Sequence, residues 1–297
     1  MGPEGPFRDD HSGSIILNVK KNERKKILKE EGYVGLHEKL REEIKRFTMM
    51  SNVFLPVVLE DEGSCEHILR ILTGIEDLKI ISSKTQYAIS KTASHDARLD
   101  SISEDDKSRI FVIEIHNEDD PDVPRRMRFY GAMADSDFLD KGSGYEELPE
   151  RYMIYISETD IWKKGRTRYH VGKYLEDHDE KYSDGEHILY VNAEIDDGSR
   201  TAKLMKYFMT ADPEDKSEGR LSERVHYLKC KEGGVQEMCK VTESIWQDGW
   251  KDGERFGILT GKMEAAFNLE EMGMNVEKIA EAVGENVATV REWLKED

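Results

Sequence analysis

Residues 98–116 read RLDSISEDDKSRIFVIEIH, in which two largely apolar runs flank a short polar segment. Apolar residues that alternate with polar ones, or that run on for a few positions, are typical of half-buried and buried strands. The polar segment EDDK has the composition of a tight connection between strands. The stretch therefore predicts a β-hairpin, around which the other elements can be placed.

Further strands and helices are predicted on both sides of the hairpin. Runs rich in Ile, Tyr and Val predict strands at residues 77–83, 151–157 and 187–193. Apolar residues at helical spacing predict helices at residues 64–72 and 125–139. Strands interleaved with helices indicate a mixed sheet flanked by helices, in an α/β or α+β core.

Four segments are expected along the chain. Residues 1–13 are rich in Gly, Pro and charge, which favours disorder, and residues 14–50 carry apolar side chains at mostly helical spacing among mixed charges. The core is expected at residues 51–212, followed by a helical C-terminal region at 213–297. This region is expected to end in a helix-turn-helix-like pair about Gly284.

The C-terminal helix pair has two interpretations. Helix-turn-helix modules read DNA with a basic recognition helix. Residues 275–297, however, hold six acidic side chains and three basic ones. Groove binding is therefore weakened, and packing or homo-oligomerisation is favoured at least equally.

The overall composition limits the classes of function. The chain carries 62 acidic residues against 44 Lys and Arg, a formal net charge of −18. Such a protein is repelled by nucleic-acid phosphates unless it gathers basic side chains locally or binds a cation.

The cysteines bear on the redox environment of the chain. Their odd number and wide spacing favour reduced thiols over a disulfide framework or a CxxC-type zinc site: Cys65, Cys230 and Cys239. Without a membrane span or signal-peptide pattern, a soluble, cytoplasmic protein with no membrane partner is expected.

Two acidic residues, Asp100 and Glu114, lie inside the apolar runs of the predicted hairpin. A buried carboxylate without a partner is costly or takes up a proton. A bound Mg²⁺ or Mn²⁺ would resolve this cost, because these ions prefer oxygen ligands. Strand alternation places His116 on the same face as Glu114. The alternative is that both acids are solvated or paired with basic neighbours: Arg98, Lys107 and Arg109.

The length of the hairpin loop decides whether the two acids share a face. Directly opposed residues of an antiparallel pair lie on the same face. A loop of two or four residues pairs Asp100 with Phe111 and turns it away from Glu114. A loop with an odd number of residues, or a β-bulge, gives a register that brings the acids together, such as one that pairs Asp100 with Val112. A metal site therefore predicts an odd loop or a bulge between residues 102 and 110.

The ordered set of motifs resembles a known family. The hairpin is followed at residues 124–156 by PRRMRFYGAMADSDFLDKGSGYEELPERYMIYI. Together they resemble the PD-(D/E)XK nuclease family transposases, also called recombination-promoting nucleases. That family has an Arg-Leu-Asp strand, an acidic turn and a Glu-X-Gln or Glu-X-Lys strand. A helix of Arg-Arg-X-Arg-Tyr-Tyr type and a Tyr-X-Ile-X-Ile strand follow. The resemblance runs from about Asn52 to Leu221.

The resemblance implies a restriction-endonuclease-like fold and a metal-dependent DNA endonuclease, a hydrolase linked to transposition or recombination. It would bind DNA and Mg²⁺ or Mn²⁺, and the C-terminal helices leave homo-oligomerisation open. Asp100 and Glu114 match the metal-binding acids, and His116 stands where the family has Gln or Lys. In the family, a further acid on the preceding helix often belongs to this site. Glu66 is the nearest candidate for it, and Glu62 matches the family pattern no better.

Three arginines match the basic helix start of the family: Arg125, Arg126 and Arg128. Arginine binds phosphate in a bidentate manner and a helix N-terminus favours anions, so the resemblance implies that they contact the DNA backbone. The alternative is that they pair with the acids just upstream: Glu118, Asp119, Asp120 and Asp122. The departure at His116 also leaves open a degenerate nuclease fold that serves as a DNA-binding or protein-interaction module.

Overall fold

The computed structural model describes residues 40–89, 97–116 and 122–295, with the backbone alone for residues 245–254. The chain divides into two compact units, Met1–Cys239 and Lys240–Asp297. The segment expected to be disordered, and most of the expected N-terminal helical segment, lie outside the described residues. Residues 40–46 of the latter form helix α1.

Two helices precede the sheet: α2 (Phe54–Leu59) and α3 (Glu62–Thr73). The Asp61 carboxylate accepts a hydrogen bond of 2.8 Å from the Ser64 backbone N–H, which caps the start of α3. The helix ends at Gly74, whose φ of 80° suits a residue without a Cβ. The helix predicted at residues 64–72 is thus confirmed with one extra turn.

The described strands are β1 (Ile80–Ile89), β2 (Ala97–Asp105), β3 (Ile110–His116), β4 (Arg151–Ser157), β5 (Arg168–Val171), β6 (Tyr174–Leu175), β7 (Glu180–Lys181) and β8 (Glu186–Asn192). Six of them form one mixed sheet in the order β1-β2-β3-β4-β8-β5. Strands β3, β4 and β8 run parallel, and the remaining neighbours pair antiparallel. The short strands β6 and β7 form a separate ribbon.

Helices cover both faces of the sheet. On one face, Met127 of α4 (Val123–Phe138) belongs to one buried cluster with Ile102 and Val112. On the other face, Cys65 Sγ of α3 lies 3.2 Å from Ser103 Oγ. Residues 102 and 103 point to opposite faces because side chains alternate along a strand. Helices α5 (Arg200–Thr210) and α6 (Arg220–Cys230) pack against α3. The expected mixed sheet flanked by helices is confirmed.

Helix α7 (Glu232–Glu271) begins in the first unit and ends in the second. The second unit also holds α8 (Val276–Val283) and α9 (Val287–Trp293), which Gly284 separates at a φ of 68°. A small apolar cluster unites the three helices: Ala266, Ile279, Ala280, Val283 and Val290. The predicted pair of short helices is therefore present. In the described part of the chain, no helix combines the length and apolarity of a membrane span.

Candidate active site

The loop of the hairpin contains three residues. Arg109, the residue before β3, closes it: Asp105 N–H donates to Arg109 O at 3.1 Å, which leaves Asp106, Lys107 and Ser108 between the two. Ser108 has a φ of 57°, the left-handed conformation found at the last position of such loops. The predicted loop with an odd number of residues is thus confirmed.

The pairing that this loop sets differs from the expected one in a single respect. Ser101 pairs with Ile113 and Ile102 with Val112, and the continued register places Asp100 opposite Glu114. The pairing given as the example above was Asp100 with Val112. Val112 lies two residues before Glu114, on the same face of β3. The strands extend further into the polar segment than its composition suggests.

The Asp105 side chain explains this longer strand. The carboxylate is fully buried and accepts hydrogen bonds from the backbone N–H groups of Lys107 at 3.0 Å and Arg109 at 2.8 Å. Arg109 Nε also donates to it at 2.7 Å. Aspartate usually favours solvated turns. Asp105 is nevertheless held at the end of β2, because the turn supplies the hydrogen-bond donors for its carboxylate.

The two carboxylates of the hairpin are bound across the strands. Asp100 N–H donates to Glu114 Oε1 at 3.1 Å, and Ile115 N–H donates to Asp100 Oδ2 at 2.9 Å. Glu114 retains 8% of its exposure. The two acids thus lie side by side on the face that α4 covers.

Burial dominates the electrostatics of this pair. Burial, together with the negative charge of Asp100, raises the pKa of Glu114 to about 9, against a backbone hydrogen bond and the charge of Arg126. Burial also raises the pKa of Asp100, against the Ile115 N–H bond, His116 and two further side chains, Arg98 and Gln86. At neutral pH the pair therefore retains a proton.

A positive charge reaches the site from α4. Arg126 Nη1 contacts His116 Nε2 at the end of β3. His116 Nδ1 lies 3.2 Å from Ile115 O. The tautomer with its proton on Nδ1 satisfies both contacts, because Nδ1–H then donates to the carbonyl and Nε2 accepts from Arg126. The guanidinium thus lies beside His116 and within electrostatic reach of Glu114.

Sequence reasoning missed Gln86 of β1. It lies between the pairs Thr85–Ser101 and Tyr87–Leu99, directly across from Asp100. Its side chain hydrogen-bonds the Asp100 carboxylate, and its φ of 51° is uncommon for a residue without glycine's freedom. The one signal that could have identified it is the register of β1 against β2, which hydropathy does not reveal.

The other predicted residues lie further from the pair. Arg125 Nη1 forms an exposed ion pair of 2.8 Å with Asp122, as its alternative interpretation expects, and Arg128 is exposed. The acids at positions 118–120 lie outside the described residues. Glu66 accepts from Ile80 N–H at 3.1 Å and pairs with Arg70 at 2.7 Å on α3. The structure therefore does not bring Glu66 to the site.

Two of the basic neighbours proposed as partners for the hairpin acids bind other carboxylates. Lys107 contacts Asp77, and Arg109 binds Asp105. Arg98 lowers the pKa of Asp100 through its positive charge, and no hydrogen bond between the two is described. Ion pairs with Lys107 or Arg109 thus do not compensate the buried charges of Asp100 and Glu114.

The carboxylate pair fits a divalent cation. Both side chains offer the oxygen ligands that Mg²⁺ and Mn²⁺ prefer. Each uses one oxygen for a backbone N–H and carries a second oxygen. Two buried acids with raised pKa values also lack the compensating charge that such an ion supplies.

Comparison with known proteins supports the same interpretation. The profile of the PD-(D/E)XK nuclease family transposases matches residues 65–224, which is more than half of the chain. No curated protein and no solved structure gives a significant match. The matched region contains the acid pair, α4 and the whole six-stranded sheet, which has the restriction-endonuclease-like architecture. The chain therefore belongs to the PD-(D/E)XK nuclease family transposases.

Proposed function

We propose that this protein is a DNA endonuclease that requires Mg²⁺ or Mn²⁺ and acts in transposition or recombination. The observation that carries the proposal is the pair of buried carboxylates, Asp100 and Glu114, held side by side next to a guanidinium. Membership of the family implies a DNA substrate, and PD-(D/E)XK nucleases generally use divalent metal ions.

Asp100 and Glu114 would hold the metal ion. When bound, such an ion polarises a phosphoryl oxygen and lowers the pKa of a coordinated water. The backbone N–H groups of Asp100 and Ile115 each fix one carboxylate oxygen, which limits the rotation of both acids. Gln86 adds a further hydrogen bond to Asp100 from the neighbouring strand. The acids are thus oriented before metal or substrate arrives.

Arg126 provides the positive charge that family members with Lys carry on the strand. Its guanidinium stays charged at every working pH and can stabilise negative charge that develops on a phosphate. His116 accepts a hydrogen bond from Arg126 through Nε2 and so positions the guanidinium. The departure from the family pattern at His116 is then compensated by α4.

Arg125 and Arg128 are proposed to bind the DNA backbone outside the reaction centre. Both are exposed on the first turns of α4. The exposed ion pair between Arg125 and Asp122 is weak enough to yield to a phosphate. Local arginines are needed because the chain as a whole repels DNA.

Plasmid nicking by the purified full chain tests the proposal. Cleavage is expected with Mg²⁺ or Mn²⁺ and not with a chelator, and it is expected to disappear in Asp100→Asn and Glu114→Gln. Glu66→Gln serves as a matched control, because this acid lies on α3 and binds Arg70 and Ile80. Full cleavage by Asp100→Asn, or cleavage without any divalent ion, would overturn the proposal.

A second candidate function is a degenerate nuclease fold that binds DNA or a protein partner without cutting. The observation that favours it is His116, which carries neither the fixed charge of Lys nor the amide of Gln. DNA binding without cleavage in Mn²⁺, by the parent and by His116→Lys alike, would establish this alternative.

We propose a cytoplasmic location, which the free state of the described cysteines supports. Homo-oligomerisation through the C-terminal helices is proposed on the exposure of their apolar side chains, among them Phe256 and Phe267. Light scattering of the full chain measures the number of subunits.

A further inference from the structure

Three metal-ligating side chains converge at the surface of the first unit, in the connection between α5 and α6 and on α6 itself. In the described part of the chain, one such group of three has its ligand atoms within 4.8 Å of one another: Glu214, His226 and Cys230. His226 and Cys230 are four residues apart on α6, so they lie on one face of the helix. Glu214 approaches them from the connection that precedes the helix.

The histidine of this group is already oriented by the backbone. His226 Nδ1 lies 3.0 Å from Pro213 O and 3.8 Å from Glu214 Oε1. In the tautomer that donates from Nδ1 to the carbonyl, Nε2 keeps a free lone pair for a metal. A ligating histidine usually has this kind of backbone contact on its second nitrogen, because the contact fixes the tautomer and the ring.

The neighbouring lysine does not occupy the place of a cation. Lys229 is buried, and its Nζ donates to Phe47 O at 2.5 Å and to Ala211 O at 2.8 Å. Its ammonium thus points into the protein, whereas Glu214 and Cys230 are exposed and His226 is partly exposed. An ion from solvent can reach all three ligands.

We propose that Glu214, His226 and Cys230 form a second metal site that binds Zn²⁺, with water as the fourth ligand. A thiolate, an imidazole and a carboxylate together match the ligands of Zn²⁺, whereas Mg²⁺ prefers oxygen alone. Zinc–ligand bonds of about 2.0–2.3 Å in a tetrahedron place ligand atoms roughly 3.3–3.8 Å apart. Ligand atoms that lie within 4.8 Å of one another reach this range by side-chain movements on the order of 1 Å, which exposed side chains tolerate.

The zinc site would tie the connection between α5 and α6 to the second of these helices. That connection also carries Glu218, which binds Arg200 of α5 and His67 of α3. Zn²⁺ binding therefore stabilises the helical layer on the face of the sheet opposite α4, and does not involve Asp100 or Glu114.

Cobalt titration of the untagged full chain tests the site separately from DNA cleavage. The Glu114→Gln variant is used as the parent, so that the hairpin site does not bind metal. One equivalent of Co²⁺ is expected to bind with a thiolate-to-cobalt absorption band that Zn²⁺ abolishes. The band is expected to vanish in Cys230→Ser and to weaken in His226→Ala and Glu214→Gln, with folding checked by circular dichroism.

Two controls make the result decisive. His178→Ala removes an exposed histidine that lies outside the group, and is expected to leave the band unchanged. Zn²⁺ is expected to raise the Tm of the parent but not that of Cys230→Ser. Absence of the band in the parent, its persistence in Cys230→Ser, or an equal Tm shift in both proteins would overturn the proposal.

Discussion

Glu114 and Glu218 are two buried glutamates that the fold treats in opposite ways. Glu218 retains 2% of its exposure, and Arg200 binds it with two hydrogen bonds of 2.7 and 2.5 Å while His67 lies at 2.8 Å. Glu114 retains 8% and accepts one backbone N–H, with a second acid beside it. Burial alone therefore does not show how far the charge of an acid is compensated.

The pKa values of the two acids separate them. Burial opposes the ionisation of Glu218, but the hydrogen bonds from His67 and Arg200 outweigh it and lower its pKa to about 2. Burial and the charge of Asp100 raise the pKa of Glu114 to about 9. An acid that the protein completes with its own cations contributes to stability. An acid kept without sufficient compensation is a candidate for a functional site.

The largest expected effect is the loss of cleavage when the uncompensated pair is changed. Asp100→Asn and Glu114→Gln should reduce metal-dependent nicking by at least about 100-fold, because they remove ligand charge. Both should remain folded, since a neutral amide is cheaper to bury than a carboxylate. Plasmid nicking and thermal unfolding are measured on the same preparations. A variant that unfolds rather than losing activity would show that this pair is structural, like Glu218.

The second effect concerns the cation that α4 brings to the pair. Arg126→Ala should lower the rate of nicking by about 10–100-fold, because a guanidinium that stabilises charge at the reaction centre is lost. Arg125→Ala is the matched control from the same helix turn, and should change mainly the affinity for DNA. Single-turnover rates and DNA binding by fluorescence anisotropy separate the two outcomes. Equal rate losses in both variants would assign Arg126 to DNA binding alone.

The third effect concerns the pH dependence of the free energy of unfolding, to which Glu218 and Glu114 contribute with opposite signs. The folded pKa of Glu218 lies below its ordinary value of 4.5, so its contribution is present above pH 4.5 and is lost as the pH falls toward 2. The folded pKa of Glu114 lies above 4.5, so its contribution is present below pH 4.5 and is lost as the pH rises toward 9.

Urea unfolding across this pH range measures both contributions. Glu218→Gln should lower the free energy of unfolding by about 2 kcal/mol at pH 7 and flatten the acid side of the profile. Glu114→Gln should flatten the alkaline side and leave the acid side unchanged. Identical profiles for the parent and Glu114→Gln, without divalent ions, would contradict the raised pKa.

The smallest effect is expected at His116. His116→Gln should retain nicking within about tenfold of the parent, because Gln can also accept a hydrogen bond from Arg126 and the guanidinium keeps its charge. His116→Lys places a second cation against Arg126 and tests whether charge or position matters more. A complete loss of activity in His116→Gln, with normal folding, would show that the imidazole takes part in the reaction itself.

Local patterns were sufficient for most of the fold. The hairpin, β4, β8, α3 and α4 could be predicted because each buries apolar residues at a regular spacing. The strand expected at residues 77–83 lies instead at Ile80–Ile89, because only its two terminal residues are buried and hydropathy does not mark the residues between them. Strands β5, β6 and β7 were not predicted because they are short and largely exposed.

The candidate site depended on longer-range information. The chemistry of Asp100 and Glu114 predicted the parity of the loop, but the exact pairing depended on the burial of Asp105 by its own turn. The position of Arg126 beside His116 depends on the rotation of α4 over the sheet, which sequence spacing does not fix. Gln86 required the alignment of β1 with β2.

The three-residue loop at Asp106, Lys107 and Ser108 determines how the gene for this protein can vary. Losing or gaining one codon there would shift β2 against β3 by one residue and send Asp100 to the other side of the sheet. Most substitutions of Asp106 or Lys107 would leave that pairing intact. In genes that encode active homologues, the amino-acid sequence of this loop should therefore vary freely, while its length should change only in steps of two codons.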